Sequence, residues 1–76
     1  VTDARRAVHL AERACEMTQW QALPLIDTLG VAYAAAGEFE KAIKLLEQHK
    51  GLAQNEQERA VIEKRLQAYR AGEAVE

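Results

Sequence analysis

"LGVAYAAAG", residues 29–37, is the stretch on which the fold turns. Its leucine and alanines read as helix. Gly30 stands inside that helix, where glycine costs roughly 1 kcal/mol against alanine. A residue without a β-carbon lets another helix backbone come close, and dispersion contacts at a close approach offset the lost propensity. Ala42 is the small residue expected opposite Gly30. Gly37 is placed to end the helix in a left-handed conformation.

Punctuation on either side divides the chain into four helical segments, at about 3–17, 23–36, 38–53 and 56–71. Thr2 or Asp3 can cap the first. Pro24 suits the first turn of the second, where its missing N–H is harmless. Asn55 followed by Glu58 fits a capping box at the start of the fourth, and Gly72 ends it. No Asn-Gly or Asp-Gly pair and no alternating Val/Ile/Thr run signals a β-hairpin. The expected fold class is all-α, with the helices antiparallel.

At 100° per residue, Ala4, Ala7, Val8, Ala11, Ala14, Cys15 and Thr18 share one face of the first helix. Leu10 and Met17 widen that small or apolar arc to roughly 180°. The third helix behaves alike, with Phe39, Ala42, Ile43, Leu46 and Ala53 widened by Leu45 and Leu52. Arcs this wide suit helices with neighbours on two sides. The fourth is narrower: Ile62, Leu66 and Tyr69 lie on a face flanked by Glu58 and Arg65, as in an end piece with one side in water.

Seventy-six residues make one small domain. A chain of this size buries only about 60% of its unfolded surface, and its core rarely supplies more than about 3–5 kcal/mol. Ten basic residues against twelve acidic ones leave a net charge of −2, mixed along the chain. That argues against nucleic acid as a partner, which requires a clustered basic surface. No apolar run approaches the ~18 residues of a membrane span, and no signal-peptide pattern is present. The segment is therefore expected to be soluble and cytoplasmic, without a membrane partner. Cys15 is the single cysteine, so no internal disulfide can form.

The first and third helices are related. Setting ARRAVHLAE (4–12) over FEKAIKLLE (39–47), an offset of 35, places Arg6 on Lys41, Ala7 on Ala42 and Val8 on Ile43. His9 falls on Lys44, Leu10 on Leu45 and Glu12 on Glu47. A repeat at this spacing points to stacked helix pairs.

With these residues in place, the chain resembles the tetratricopeptide repeat (TPR) family, whose pattern is W-x2-L-G-x2-Y, then A-x3-F, then P. Leu29, Gly30 and Tyr33 match the first block, Ala42 takes the small position, and Gly37 lies in the inter-helix turn with Phe39 after it. Ile26 replaces the tryptophan, Leu46 the phenylalanine and Gln54 the proline; the last change lets the third helix end less sharply. The resemblance implies a helical-hairpin solenoid fragment spanning 1–76 as a single domain. Residues 3–18 would be the second helix of a preceding repeat, 23–56 a full repeat, 56–71 a capping helix and 72–76 a tail. Residues 14–43 also resemble repeats near the ends of long bacterial TPR proteins. A four-helix bundle is the alternative architecture.

Catalysis needs convergent groups, and the sequence offers none, so no enzymatic activity and no cofactor are expected. His9 lies on the charged face of the first helix beside Glu12, Arg13 and Glu16. His49 falls among apolar residues and is expected to pack its ring at a helix boundary with one nitrogen bonded or wet. Cys15 is expected to act as a small buried hydrophobe. No second cysteine or helix-spaced histidine pair supports a metal. Trp20 is expected to cover the entry to the second helix as a staple.

Asp27, Thr28, Val31, Ala34 and Ala35 lie opposite the Leu25/Leu29/Ala32/Ala36 stripe and are short of charge for a solvent face. The family resemblance implies that Asp27, Val31, Ala34 and Ala35 line a groove that receives partner peptides. Asp27 and Val31 stand where some members clamp a terminal carboxylate with lysine and asparagine, so that specificity is not expected here. Small side chains admit a helix or a bulky apolar side chain instead. The expected function is non-catalytic protein–protein interaction, with another protein or a peptide as partner. The first helix offers a structural alternative: Leu10, Ala14 and Met17 form a face for self-association as a homodimer, or for covering further repeats of a longer array. An accessory segment that positions substrate for a larger enzyme is the third alternative.

Overall fold

The computed structural model describes residues 4–73. Its elements are α1 (Ala4–Met17), α2 (Leu23–Ala35), α3 (Phe39–His49), a 3-10 turn (Lys50–Leu52) and α4 (Glu56–Arg70). No strand occurs among the described residues, and the fold is all-α. No helix among them is long and apolar enough to cross a membrane. The expected Thr2 or Asp3 cap and the end of the tail at 74–76 lie outside the described residues.

Three helix ends share one hydrogen-bond pattern. After α2, Gly37 adopts φ +80°, its N–H donates to Ala34 O at 3.0 Å, and Glu38 N–H donates to Tyr33 O at 2.8 Å. After α4, Gly72 adopts φ +75°, with the equivalent bonds to Tyr69 O at 3.0 Å and Ala68 O at 2.8 Å. These are Schellman closures, in which glycine carries the left-handed residue without a β-carbon clash. After α1 the same bonds form, Gln19 N–H to Glu16 O at 3.0 Å and Trp20 N–H to Cys15 O at 2.8 Å, but without glycine. Gln19 sits at φ 56° and Trp20 at φ 61°, two strained residues in succession.

Helix starts follow the sequence signals. Pro24 occupies the first turn of α2. Asn55 Oδ1 accepts from Glu58 N–H at 2.9 Å, as a capping box requires. The return bond is displaced by one residue: Glu58 Oε1 accepts from Gln54 N–H at 2.9 Å. The third helix stops at His49 rather than continuing to Ala53, and the chain leaves through the 3-10 turn. Gly51 weakens helix propensity there, and no proline imposes a sharp stop.

Consecutive helices pack on one another, and two apolar clusters result. Val8, Ala11 and Cys15 of α1 meet Ile26, Leu29 and Ala32 of α2 and Leu45 of α3. Ala34 of α2, Ala42 and Leu46 of α3, and Ile62, Leu66 and Tyr69 of α4 form the second. The first cluster holds no α4 residue and the second no α1 residue. The helices thus form an open series and do not close into a bundle around one axis. The molecule is a slab with extents of 36 × 31 × 17 Å, about two helix layers thick.

One expectation is corrected. Gly30 is buried, but not against Ala42. A β-carbon there would lie 3.7 Å from Leu46 Cγ and Cδ2 and 3.9 Å from Tyr69 Cε2, which is ordinary contact with side chains. A methyl group therefore fits, and no backbone-to-backbone approach demands glycine. On α1 the buried residues are Val8, Ala11 and Cys15 only; Ala7 is exposed, Leu10 is 60% exposed and Met17 84%.

Gly30→Ala is accordingly expected to be neutral or to stabilise by up to about 1 kcal/mol through helix propensity. Gly30→Leu should destabilise by about 1–3 kcal/mol, because the larger side chain must displace Leu46 and Tyr69. Urea unfolding of both variants checks the pair. A destabilised alanine variant would show that the space beside Gly30 is tighter than these distances.

Candidate functional site

α2 carries one charged residue, Asp27, in thirteen. A nearly uncharged helix must be covered on most sides, and α2 is: α1 takes one side, while α3 and α4 take another. Leu23 meets α4 near Glu58, Val61 and Ile62; Asp27 meets Arg65; Gly30 lies near Tyr69. Positions rise together along both helices, so α2 and α4 run parallel, side by side, with α3 behind them.

Between their N-terminal halves lies a cleft of about 220 Å³, lined by Leu23, Pro24, Asp27, Glu58, Val61 and Ile62. Val61 is 46% exposed at its rim. Two further depressions, of about 290 and 270 Å³, flank the 3-10 turn. All three fall below the roughly 300–1,000 Å³ of small-molecule sites, and the α2/α4 cleft suits a single apolar side chain.

Asp27 joins the groove to a polar contact beside it. Arg65 Nε lies 2.6 Å from Asp27 Oδ1, and the two side chains are only 20% and 23% exposed. Neither atom has an aligned hydrogen bond, so the contact is an ion pair held by charge rather than direction. Burial pushes the Asp27 carboxyl up, while the adjacent Arg65 guanidinium pulls it down; the net shift is upward. Tyr69 Oη is buried in the same neighbourhood, and burial raises its phenol against the opposing pull of Arg65. Desolvation therefore outweighs pairing at Asp27, as happens when an ion pair is only partly repaid for lost water.

The four groove residues expected from sequence do not stay together. Asp27 lines the cleft. Val31 is half-buried and Ala35 exposed farther along α2. Ala34 is corrected: at 3% exposure it belongs to the second cluster, beneath α3 and α4, and cannot meet a partner. Val61, Leu23 and Pro24 complete the cleft without having been singled out for it. The signal that could have found Ala34 was the scarcity of charge all round α2, which marks a helix enclosed by neighbours.

Elsewhere, Cys15 is fully buried, and burial first and Glu12 second push its thiol up, so it stays protonated and inert. His9 is exposed. His49 Nδ1 lies 2.8 Å from Leu45 O, so that nitrogen carries the proton and donates it. The His49 ring stacks on Trp20 at 5.8 Å between centroids. Trp20 packs on the first cluster and lines a depression with Gln48, His49, Gly51 and Leu52. Among the described residues no group of three or more His, Cys, Asp or Glu could hold a metal ion.

Removing one partner of the ion pair strands the other. Asp27→Ala should destabilise by about 1–3 kcal/mol, and the Asp27→Leu/Arg65→Met double variant should recover most of that loss. Urea titration of the single and double variants tests this. The folded chain holds a proton on Asp27 more tightly than the unfolded chain. Its contribution to stability is thus full below the ordinary value of 3.8 and is lost as pH rises through the raised folded value. An Asp27 carboxyl that titrates by NMR below 3.8 would contradict the balance described here.

Comparison with protein-family models, with curated proteins and with solved structures finds no match to this chain.

Proposed function

We propose that this chain is a TPR-like helical-repeat module that binds a peptide or helix of another protein in the α2/α4 groove and catalyses no reaction. The observation that carries this proposal is the cleft between two parallel helices, apolar at Leu23, Pro24, Val61 and Ile62 and sized for one side chain. Its volume favours a protein side chain over a metabolite. The TPR likeness is supported by the sequence repeat between α1 and α3, the Leu29–Gly30–Tyr33 block, and the open series of alternating helices. In this scheme α1 is the second helix of a preceding repeat, residues 23–56 are a full repeat, and α4 is the cap. Self-association through α1 is a second reading, favoured by the exposure of Leu10 and Met17.

Selection of random twelve-residue displayed peptides on the 76-residue chain tests the groove. The enriched peptides should share an apolar anchor and lose at least about tenfold in affinity for Val61→Arg, the cost of a central anchor. Val31→Arg should also weaken them, with far-UV circular dichroism unchanged. Peptides that bind Val61→Arg as well as the wild type would place the binding surface elsewhere.

A further inference from the structure

Among the described residues, the large apolar side chains most exposed are Leu10, Met17 and Val61. Two lie on α1 and one lies at the rim of the α2/α4 cleft. On α1, Leu10, Arg13 and Met17 stand at i, i+3 and i+7, which places them along a single stripe of the helix. That stripe is apolar, basic, apolar.

The cleft has the complementary order. Leu23, Pro24, Val61 and Ile62 offer apolar contact, and the two ionisable groups that line it, Asp27 and Glu58, are both carboxylates. Each uses one oxygen within the fold, Asp27 Oδ1 toward Arg65 and Glu58 Oε1 toward Gln54 N–H, and each has a second. Whatever covers the cleft strips the remaining water from Asp27, where burial already works against the charge. A purely apolar or acidic occupant makes that worse. An occupant bringing a cation beside its apolar side chain offsets it.

Resting on the groove reading above, we infer that the α2/α4 cleft of one copy receives the α1 stripe of a second copy: Leu10 or Met17 seats on Leu23, Pro24, Val61 and Ile62, and Arg13 meets Asp27 and Glu58. The two surfaces are different patches of one chain, so the contact is heterologous and runs head to tail. A symmetric α1–α1 pairing would instead join the apolar stripes of both copies and leave the cleft uncovered. One helix stripe covers less than the roughly 1,200 Å² of a standard stable interface, so the association is transient.

A complementation experiment separates these arrangements. Leu10→Glu destroys the stripe and keeps the cleft; Val61→Arg destroys the cleft and keeps the stripe. Sedimentation of the wild type at rising concentration should show self-association, and each variant alone should be monomeric. Their equimolar mixture should form a one-to-one dimer that grows no further. Arg13→Glu should weaken wild-type association about threefold or more, the range expected of a solvent-accessible ion pair. Met17→Glu serves as a second stripe variant, and circular dichroism verifies that each is folded. A Val61→Arg chain that still self-associates, or a mixture that stays monomeric while the wild type does not, overturns the head-to-tail contact. A wild type that stays monomeric throughout also overturns it, whereas the groove's capacity for foreign peptides is decided separately by the peptide selection.

Discussion

Two adjacent leucines on α3 point into different cores, and the architecture depends on that division. Leu45 completes the cluster between α1 and α2, while Leu46 completes the cluster between α2 and α4. Neighbouring helical positions diverge by about 100°, so one helix can serve two clusters, with Tyr33 packed against both. Neither cluster is large. Each draws on α2 and α3, which makes that hairpin the shared wall of both. A slab about two helices thick, built this way, leaves its end helices with one side bare, and α1 and α4 are those ends. The exposed Arg70–Glu47 contact at 2.8 Å joins α4 to α3 but, lying in solvent, adds little to their packing.

The same constraint creates the groove. Because α3 lies behind α2 and α4, those two run parallel, with only side chains bridging them. Asp27 is the sole charge on α2, and it faces this seam. Arg65 answers it across the seam, at the cost of drying both groups. The N-terminal halves of the two helices then stay apart, and Val61 remains in water at the gap. The apolar cleft and the ion pair beside it are thus products of one packing arrangement.

Much of the fold was legible because local chemistry set it. Gly37, Gly72, Pro24 and Asn55 each mark a helix boundary through a backbone requirement that only a few residues meet. Ile62, Leu66 and Tyr69, a plain helical stripe, are all buried. The site was less legible, because its geometry is set by which helices meet. Asp27 and Arg65 each stood out, one on the groove face and one beside the α4 stripe, but no spacing rule joins residues on separate helices. Ala34 reads as open when α2 is given one core, and two clusters enclose the helix. The missing β-carbon of Gly30 points to a close backbone approach, whereas Leu46 and Tyr69 side chains occupy that space. The left-handed pair at Gln19 and Trp20 carried no signal, since neither residue type prefers that conformation.

That last pair has an evolutionary consequence. Three helix ends use the same closure, yet only the one after α1 performs it without glycine. Backbone of this kind stores about 1–2 kcal/mol per residue, part of which glycine at position 19 would release, less the freedom it adds to the unfolded chain. For a domain this small, that is a meaningful mutational reserve. Substitutions elsewhere that would otherwise tip the chain below the threshold for folding are tolerated once Gln19 has changed, so this turn sets how freely the rest of the surface can diversify.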